Sequence, residues 1–337
     1  MKKSISLLLI LAVVIGGFVF AGHLINGDKD ENALKVAIVV SSNFGDRSFN
    51  DSARDGGEAL KAEGITVNYV ECGEKDFKQN MMNAAGASDM VVCVGWEFWE
   101  ITDVATEYPD KKFIWIDNAV EEPEEYPNIL NLVYSQNKGS YLAGYIAAAM
   151  SQSGTIGCVG GVDDDVVNDF IVGFTQGAEA ANGSIQVISA FAGGDYDNPE
   201  LGKELARELH AKNADIIFQI AGNTGNGVLQ AAKEDGFYAI GNDKDQKIEF
   251  PEYEDAILCS VKKDVGRSIY DLVMMYANND VFNGGMVRTA DMSKGYVDIG
   301  YGNSSTTDLV SDDLKEEVYK LKQMINDGDI IVDSTID

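Results

Sequence analysis

Histidine, proline and cysteine are scarce in this chain, at two, five and four among 337 residues. The two histidines are His23 and His210, and neither lies near a cysteine, so the common zinc-ligand patterns are excluded. No Ser/His/Asp set can be assembled from them either. Proline at 5 against glycine at 35 fits a chain with many tight strand-to-helix turns. Cys72, Cys93, Cys158 and Cys259 each sit in or beside an apolar, strand-like run, and none belongs to a CxxC pair. They are expected to be buried thiols rather than bridges. Basic residues are also few, 26 against 55 acidic ones, a formal charge of −29. That balance excludes nucleic acid, or an anionic membrane face, as a partner of any basic patch. The acids are scattered, which reads as solubility. One long apolar run exists, residues 5–20, preceded by Lys2 and Lys3 and ending in Val19-Phe20-Ala21. Residues 1–21 read as a secretory signal peptide or a retained N-terminal anchor, and 22–32 as a polar linker. No cysteine follows the run, so a lipid-modified N-terminus is not supported. The membrane is expected to be met only through this N-terminus.

What is present is alternation. Hydrophobic content of 45% with 24% charged residues is that of a globular chain, long enough for two domains. Apolar strand-like runs at 35–40, 65–70, 90–94, 113–116 and 131–134 are separated by helical patterns at 51–64, 76–86 and 98–108. The pattern then restarts, with strands at 155–159, 185–191, 216–220, 238–241 and 256–261. Helices are expected at 140–150, 165–181, 199–211, 225–235 and 264–277. A mixed stretch follows, with a strand-like run at 295–300 and a charged amphipathic helix at 312–327. Alternating β and α calls for parallel sheets with helices on both faces. Two such units predict an α/β fold of two doubly wound lobes, a cleft between them and a hinge.

The stretch Gly45-Asp46-Arg47-Ser48-Phe49-Asn50 stands between the first strand and the first helix. Open α/β sheets bind ligands at such carboxyl-end loops, where helix amides also point. Phe49 is a large ring among small polar residues, with Asp46 and Asn50 beside it. That set suits a flat heterocycle carrying donors and acceptors. The same residues serve equally as a sheet cap, for Phe49, and a turn, for Asp46.

Several stretches carry a resemblance. Gly45 to Asn50 resembles the D-K-S-F-N loop of the basic membrane protein family of solute-binding proteins, which includes the purine nucleoside receptor lipoproteins of bacterial ABC importers. Gly139-Ser140-Tyr141-Leu142-Ala143-Gly144-Tyr145 is similar to its G-S-F-L-A-G-Y. Val159-Gly160-Gly161 with Phe170 and Gly173-Phe174-Thr175-Gln176-Gly177 is similar to its G-G…F-x-x-G-F-x-x-G. Ala221 to Gly227 resembles A-G-x-T-G-x-G. Gly241 to Gln246, followed by Ser260-Val261-Lys262-Lys263, resembles G-x-D-x-D-Q and S-x-x-K.

The resemblance implies a type I periplasmic-binding-protein fold with three crossovers between lobes. Lobe 1 is expected at 33–136 plus 258–285, and lobe 2 at 137–257 plus 286–337. It implies a nucleoside ligand, purine by analogy, with the base stacked between Phe49 and Phe170 while Phe174 packs in the core. Asp46 and Asn50 would hydrogen-bond base or ribose, and Asp117 a base edge or ribose. Asp243 would take ribose hydroxyls, and Lys263 would reach the same oxygens or pair with Asp243. Gly222 would let backbone approach the ligand, and Trp96 would line the pocket. Asp117 and Asp243 also suit helix caps, and Lys262 is the neighbouring register to Lys263. No cofactor, metal or catalytic residue is expected. Asp163-Asp164-Asp165, the one cluster that resembles a nucleoside hydrolase's metal site, falls at a predicted helix start, where acids favour the macrodipole. The implied partners are an ABC permease and ATPase at the outer face of the cell membrane, with the chain a monomer. A ligand sensor for a membrane kinase and a sugar receptor are the alternatives.

Overall fold

In the computed structural model, residues 33–336 other than 74 are described, so the expected signal or anchor at 1–21 and the linker at 22–32 lie outside the described residues. The chain begins with β1 (Lys35–Val40), α1 (Phe49–Ala62), β2 (Thr66–Glu71), α2 (Phe77–Ala87), β3 (Met90–Val94), α3 (Ile101–Glu107), β4 (Lys112–Ile116) and β5 (Ile129–Tyr134). It continues with α4 (Gln136–Met150), β6 (Thr155–Gly160), α5 (Asp165–Ala181), β7 (Gln186–Phe191), α6 (Pro199–Ala211), β8 (Ile216–Ile220), α7 (Gly222–Asp235) and β9 (Tyr238–Asp243). The remainder is α8 (Gln246–Glu249), β10 (Ile257–Lys263), α9 (Val265–Asn279), β11 (Met286–Ala290), β12 (Val297–Gly300) and α10 (Asp312–Asp327).

Two six-stranded sheets result, ordered β11-β5-β4-β3-β1-β2 and β12-β10-β9-β8-β6-β7. All pairs are parallel except β10 with β12. The central strands are buried along their length: all five residues of β3 and of β8, and five of six in β1. Helices cover both faces of such strands, so their sequences are continuous apolar runs rather than alternating ones. In each sheet the order reverses beside one strand, β1 in the first and β6 in the second. Ligands of open α/β sheets bind at the carboxyl ends beside such reversals.

Three segments cross between the lobes, at Ser135, Asp264 and Asp291. They lie together: Ser135 N donates to Ala290 O at 3.3 Å, and Met292 N to Ser135 Oγ at 2.8 Å. The expected lobe borders at 258 and 286 need correction. β10 pairs with β9 and so belongs to the second sheet. α9 returns to pack on α1, and β11, for which no strand was expected, joins β5 in the first sheet. The physical reason is that a strand's sequence says it is buried but not which neighbour supplies its hydrogen bonds. Met286 and Val287 are exposed edge residues, without the pattern of a core strand.

α1, α4 and α7 begin earlier than their apolar stripes do, at Phe49, Gln136 and Gly222. For α1 the cause is Asp46, whose carboxylate holds the amides of the first turn. α4 and α5 pack at unusually close range. A Cβ on Gly144, Gly173 or Gly177 would overlap the carbonyls of Phe174, Asn137 or Tyr141. All four cysteines are buried free thiols. Phe174 is core, packed on Phe218. Among the described residues no helix is long and apolar enough to cross a membrane.

Candidate functional site

Strand ends from both lobes converge on one cavity. Asp46 reaches it from the β1–α1 turn, Phe49 and Asn50 from the first turn of α1, Trp96 from just past β3 and Asp117 from just past β4. The second lobe contributes Phe170 on α5, Gly222 at the start of α7, Asp243 ending β9 and Lys263 ending β10. All nine positions singled out in the sequence therefore line the same space.

Lys263 is at its centre, with its side chain 2% exposed. Its Nζ donates to Asp117 Oδ2 at 2.7 Å across the cleft. It also lies 4.9 Å from the Phe49 ring centre, 5.1 Å from Phe170 and 5.2 Å from Tyr134. Three ring faces around one ammonium form a cation–π cage. Phe49 and Phe170 come from opposite lobes, so closure is what brings the two rings to one ammonium. Phe170 is held edge-on by Phe218 at 6.1 Å.

The carboxylates differ in how they are engaged. Asp46 accepts from Ser48 N and Asp51 N on Oδ1, at 3.0 Å each, and from Asn50 N on Oδ2 at 2.8 Å. Its oxygens are thus turned to α1, as a turn residue's are. Asn50 donates to Ser42 Oγ at 2.9 Å and Asn43 O at 3.1 Å, while its Oδ1 is buried with no partner. Asp117 Oδ1 is likewise buried and unpartnered, as is Oδ1 of Asn242, which also lines the cavity. The expected pairing of Lys263 with Asp243 is replaced: Lys263 pairs with Asp117, and Asp243 Oδ2 accepts from Ser48 Oγ at 2.5 Å. Lys263 ends β10 and Asp117 follows β4, in different sheets, so their pairing spans the cleft rather than following sequence order. Neither aspartate caps a helix. Both have left-handed backbone, φ 74° at Asp117 and 63° at Asp243. That conformation costs a non-glycine residue about 1 kcal/mol or more, and short polar side chains tolerate it best.

Sequence reasoning passed over Tyr196. It follows β7 in the loop Gly193-Gly194-Asp195-Tyr196 and lines the cavity together with Trp96, which is 39% exposed. A Cβ at Gly161 would overlap the Tyr196 ring, so that glycine makes its bed. The signal was available, since an aromatic in a polar loop after a strand is also what singled out Phe49. Asp164, within the acidic cluster, caps α5 by accepting from Val167 N at 2.8 Å, and it too lines the cavity. Among the described residues no group of three or more His, Cys, Asp or Glu could hold a metal ion.

Five carboxylates (Asp46, Glu97, Asp117, Asp164 and Asp243) line the cavity with one ammonium. Burial pushes Asp46 up to about 6, against its backbone donors. Burial also pushes Asp243 up to about 6, in spite of Lys263 and Ser48. The sign for stability follows. An unfolded chain releases these protons near pH 4, whereas the folded chain keeps them to about 6. Stability therefore falls as pH rises through that window and returns on acidification. The Tm is expected to be several degrees higher at pH 5 than at pH 7.5, with Asp243→Asn narrowing the difference. Equal Tm values at the two pH values would contradict the burial of these charges.

The lobes are closed on one another. Asn226 Nδ2 donates to Asp46 O at 2.9 Å, Lys244 pairs with Asp55 at 2.8 Å, and the Arg47 guanidinium lies 4.6 Å from the Phe250 ring centre. The space left among the cavity side chains is about 90 Å³. Its lining comes from both lobes, so a ligand enters as they part.

Two doubly wound lobes, three crossovers and a polar, aromatic-walled cleft define a solute-binding protein of the periplasmic-binding-protein type I fold. The solute-binding protein of an ABC transporter system from Aeropyrum pernix K1 superposes with a TM-score of 0.78 at 22% identity, covering 89% of this chain and 94% of that one. One from Conexibacter woesei gives 0.71 at 25% identity, covering 90% and 100%. Residues 33–335 match the Bmp family, described as ABC transporter substrate-binding protein PnrA-like, and the chain belongs to that family. It is 29% identical over 331 residues to Basic membrane protein A of Borreliella burgdorferi, covering 97% of this chain and 95% of that protein.

Proposed function

We propose that this substrate-binding protein takes a nucleoside, a purine nucleoside first, and delivers it to an ABC permease and its ATPase at the outer face of the cell membrane. The base stacks between Phe49 and Phe170, and the ribose hydroxyls meet Asp117, Asp243 and Lys263. The observation that carries this reading is the pair of rings from opposite lobes at 4.9 and 5.1 Å from one buried ammonium. The unpartnered acceptors Asn50 Oδ1, Asp117 Oδ1 and Asn242 Oδ1 call for a ligand rich in donors, which hydroxyls and an amino-bearing base supply. The excess of carboxylate disfavours phosphorylated ligands. Nothing is transformed: the chain binds as a monomer, closes and releases.

Calorimetric titration of unfolded and refolded protein with adenosine, guanosine, inosine, cytidine, uridine, adenine and ribose tests this. Micromolar or tighter binding of a nucleoside, without product, is expected. No heat from any of them would overturn the nucleoside assignment while leaving the fold intact. Stacking on one base face contributes about 1–3 kcal/mol. Phe49→Ala should therefore weaken nucleoside binding by about 5- to 150-fold. Asp243→Ala should reduce the preference for ribosides over free bases. Wild-type titrations from both variants would place the ligand elsewhere.

A further inference from the structure

The segment after α10 does not end at the surface of the second lobe as a loose tail. It runs antiparallel along α5, bonded at three levels. Gln176 Nε2 donates to Ile331 O at 2.9 Å, and Asp333 N donates back to Gln176 Oε1 at 2.9 Å. Further along, Ser334 Oγ and Thr335 N donate to Asp169 Oδ1 at 2.8 and 3.1 Å. At the start of the helix Thr335 Oγ1 donates to Asp165 O at 2.6 Å. Residues 165, 169 and 176 share one helix face.

Asp169 is the centre of this arrangement. It is 1% exposed, and its second oxygen accepts from Asn137 N at 3.3 Å, at the start of α4. Asn137 in turn donates from Nδ2 to Asp333 O at 3.0 Å. Tail, α5 and the beginning of α4 thus close a ring of hydrogen bonds one residue away from Phe170. The glycine seam with α4 grips α5 from residue 173 onward. The first half of α5, which brings Val166, Val167 and Phe170 to the cavity, has the tail as its grip on that face.

We propose that residues 331–335 are a positioning strap for the ligand cavity: by holding Asp169 they fix the first half of α5 and with it the Phe170 wall. A buried carboxylate that loses the two tail donors must find water or a proton, and a small rotation of α5 is the way to reach either. Such a rotation moves Phe170 relative to Phe49. The strap acts through Asp169 and touches no ligand itself. The proposal rests on the cavity being the ligand site, so the first readout needs no ligand.

The test uses the full chain with Ser334→Ala, with Ser334→Ala/Thr335→Pro, and with Ser334→Thr, which keeps the hydroxyl. Ser334→Ala alone keeps the test decisive should the double variant not fold. Amide hydrogen exchange at 167–172 is expected to speed by about ten-fold or more in the first two, with α4 beyond 141 and the first sheet unchanged. Ser334→Thr should behave as wild type. The dissociation constant of the best-bound nucleoside should rise by about ten-fold in parallel. Unchanged exchange at 167–172, uniform loosening of the whole second lobe, or faster local exchange with unaltered affinity would each overturn the proposal. Where wild type binds no nucleoside, the nucleoside reading fails and the exchange pattern alone decides the strap.

Discussion

Replacing Lys263 by methionine is expected to abolish ligand binding and to lower the stability of the fold by about 3–5 kcal/mol, the usual cost of removing one partner of a buried ion pair. The side chain is 2% exposed, and its partner Asp117 is 11% exposed. The effect reaches further than one pair. The same ammonium holds down the carboxyls of Asp243, Asp164 and Asp169, all pushed up by burial. Methionine fills the volume among Phe49, Tyr134 and Phe170 but leaves these acids without the cavity's one cation. The loss should be largest above pH 7 and shrink toward pH 5, where the acids take protons and no longer need a counter-charge. Thermal melts at the two pH values check this. Lys263→Met with Asp117→Asn should recover part of the stability but none of the binding. A single variant that melts and binds as wild type does would remove Lys263 from the centre of the site.

The second large effect is expected from one methyl group. Gly144→Ala places a Cβ on the carbonyl of Phe174, a backbone group of the facing helix that cannot swing aside. α4 and α5 must separate, and the cavity wall on α5 moves with them. Overpacking typically costs 1–3 kcal/mol, and contact with backbone puts this case at about the upper end or beyond. Helix propensity acts the other way, since alanine is better than glycine in a helix interior by about 1 kcal/mol. Gly86 in α2 supplies the contrast, because nothing lies within 4 Å of a Cβ built there. Gly86→Ala should therefore raise the denaturation midpoint slightly while Gly144→Ala lowers it markedly. Equal effects in a chemical denaturation series would mean that the close α4–α5 contact is absent.

Much of the candidate site's lining was legible because its residues follow a rule of position. Phe49, Trp96, Asp117, Gly222, Asp243 and Lys263 each fall at or just beyond a strand's carboxyl end, or at the start of the helix that follows, and strand ends can be read from apolar runs. Partnership was not legible. The chain places Lys263 nearer in sequence to Asp243, yet the ammonium pairs with Asp117, 146 residues away. Asp46 looked like a ligand contact because it is polar and beside a ring. Its carboxylate is consumed by the amides of Ser48, Asn50 and Asp51 at the start of α1, bonds that form only in the folded chain. Tyr196 was missed because its loop follows an edge strand, and which loops reach the cleft depends on strand order.

The sequence by itself determined the class of architecture: buried apolar runs alternating with amphipathic helices admit little besides parallel sheets wrapped on both faces. It also determined that the four cysteines would be buried, because each sits in or beside an apolar run. Only the tertiary structure decided which sheet takes β10 and which takes β11, since both are strands able to pair with more than one neighbour and backbone hydrogen bonds carry no residue identity. It also decided which carboxylate faces the lone ammonium and which helix the chain's last residues bind. Those outcomes depend on distances between segments far apart in sequence, and such distances are set by the packing of the whole chain rather than by any stretch of it.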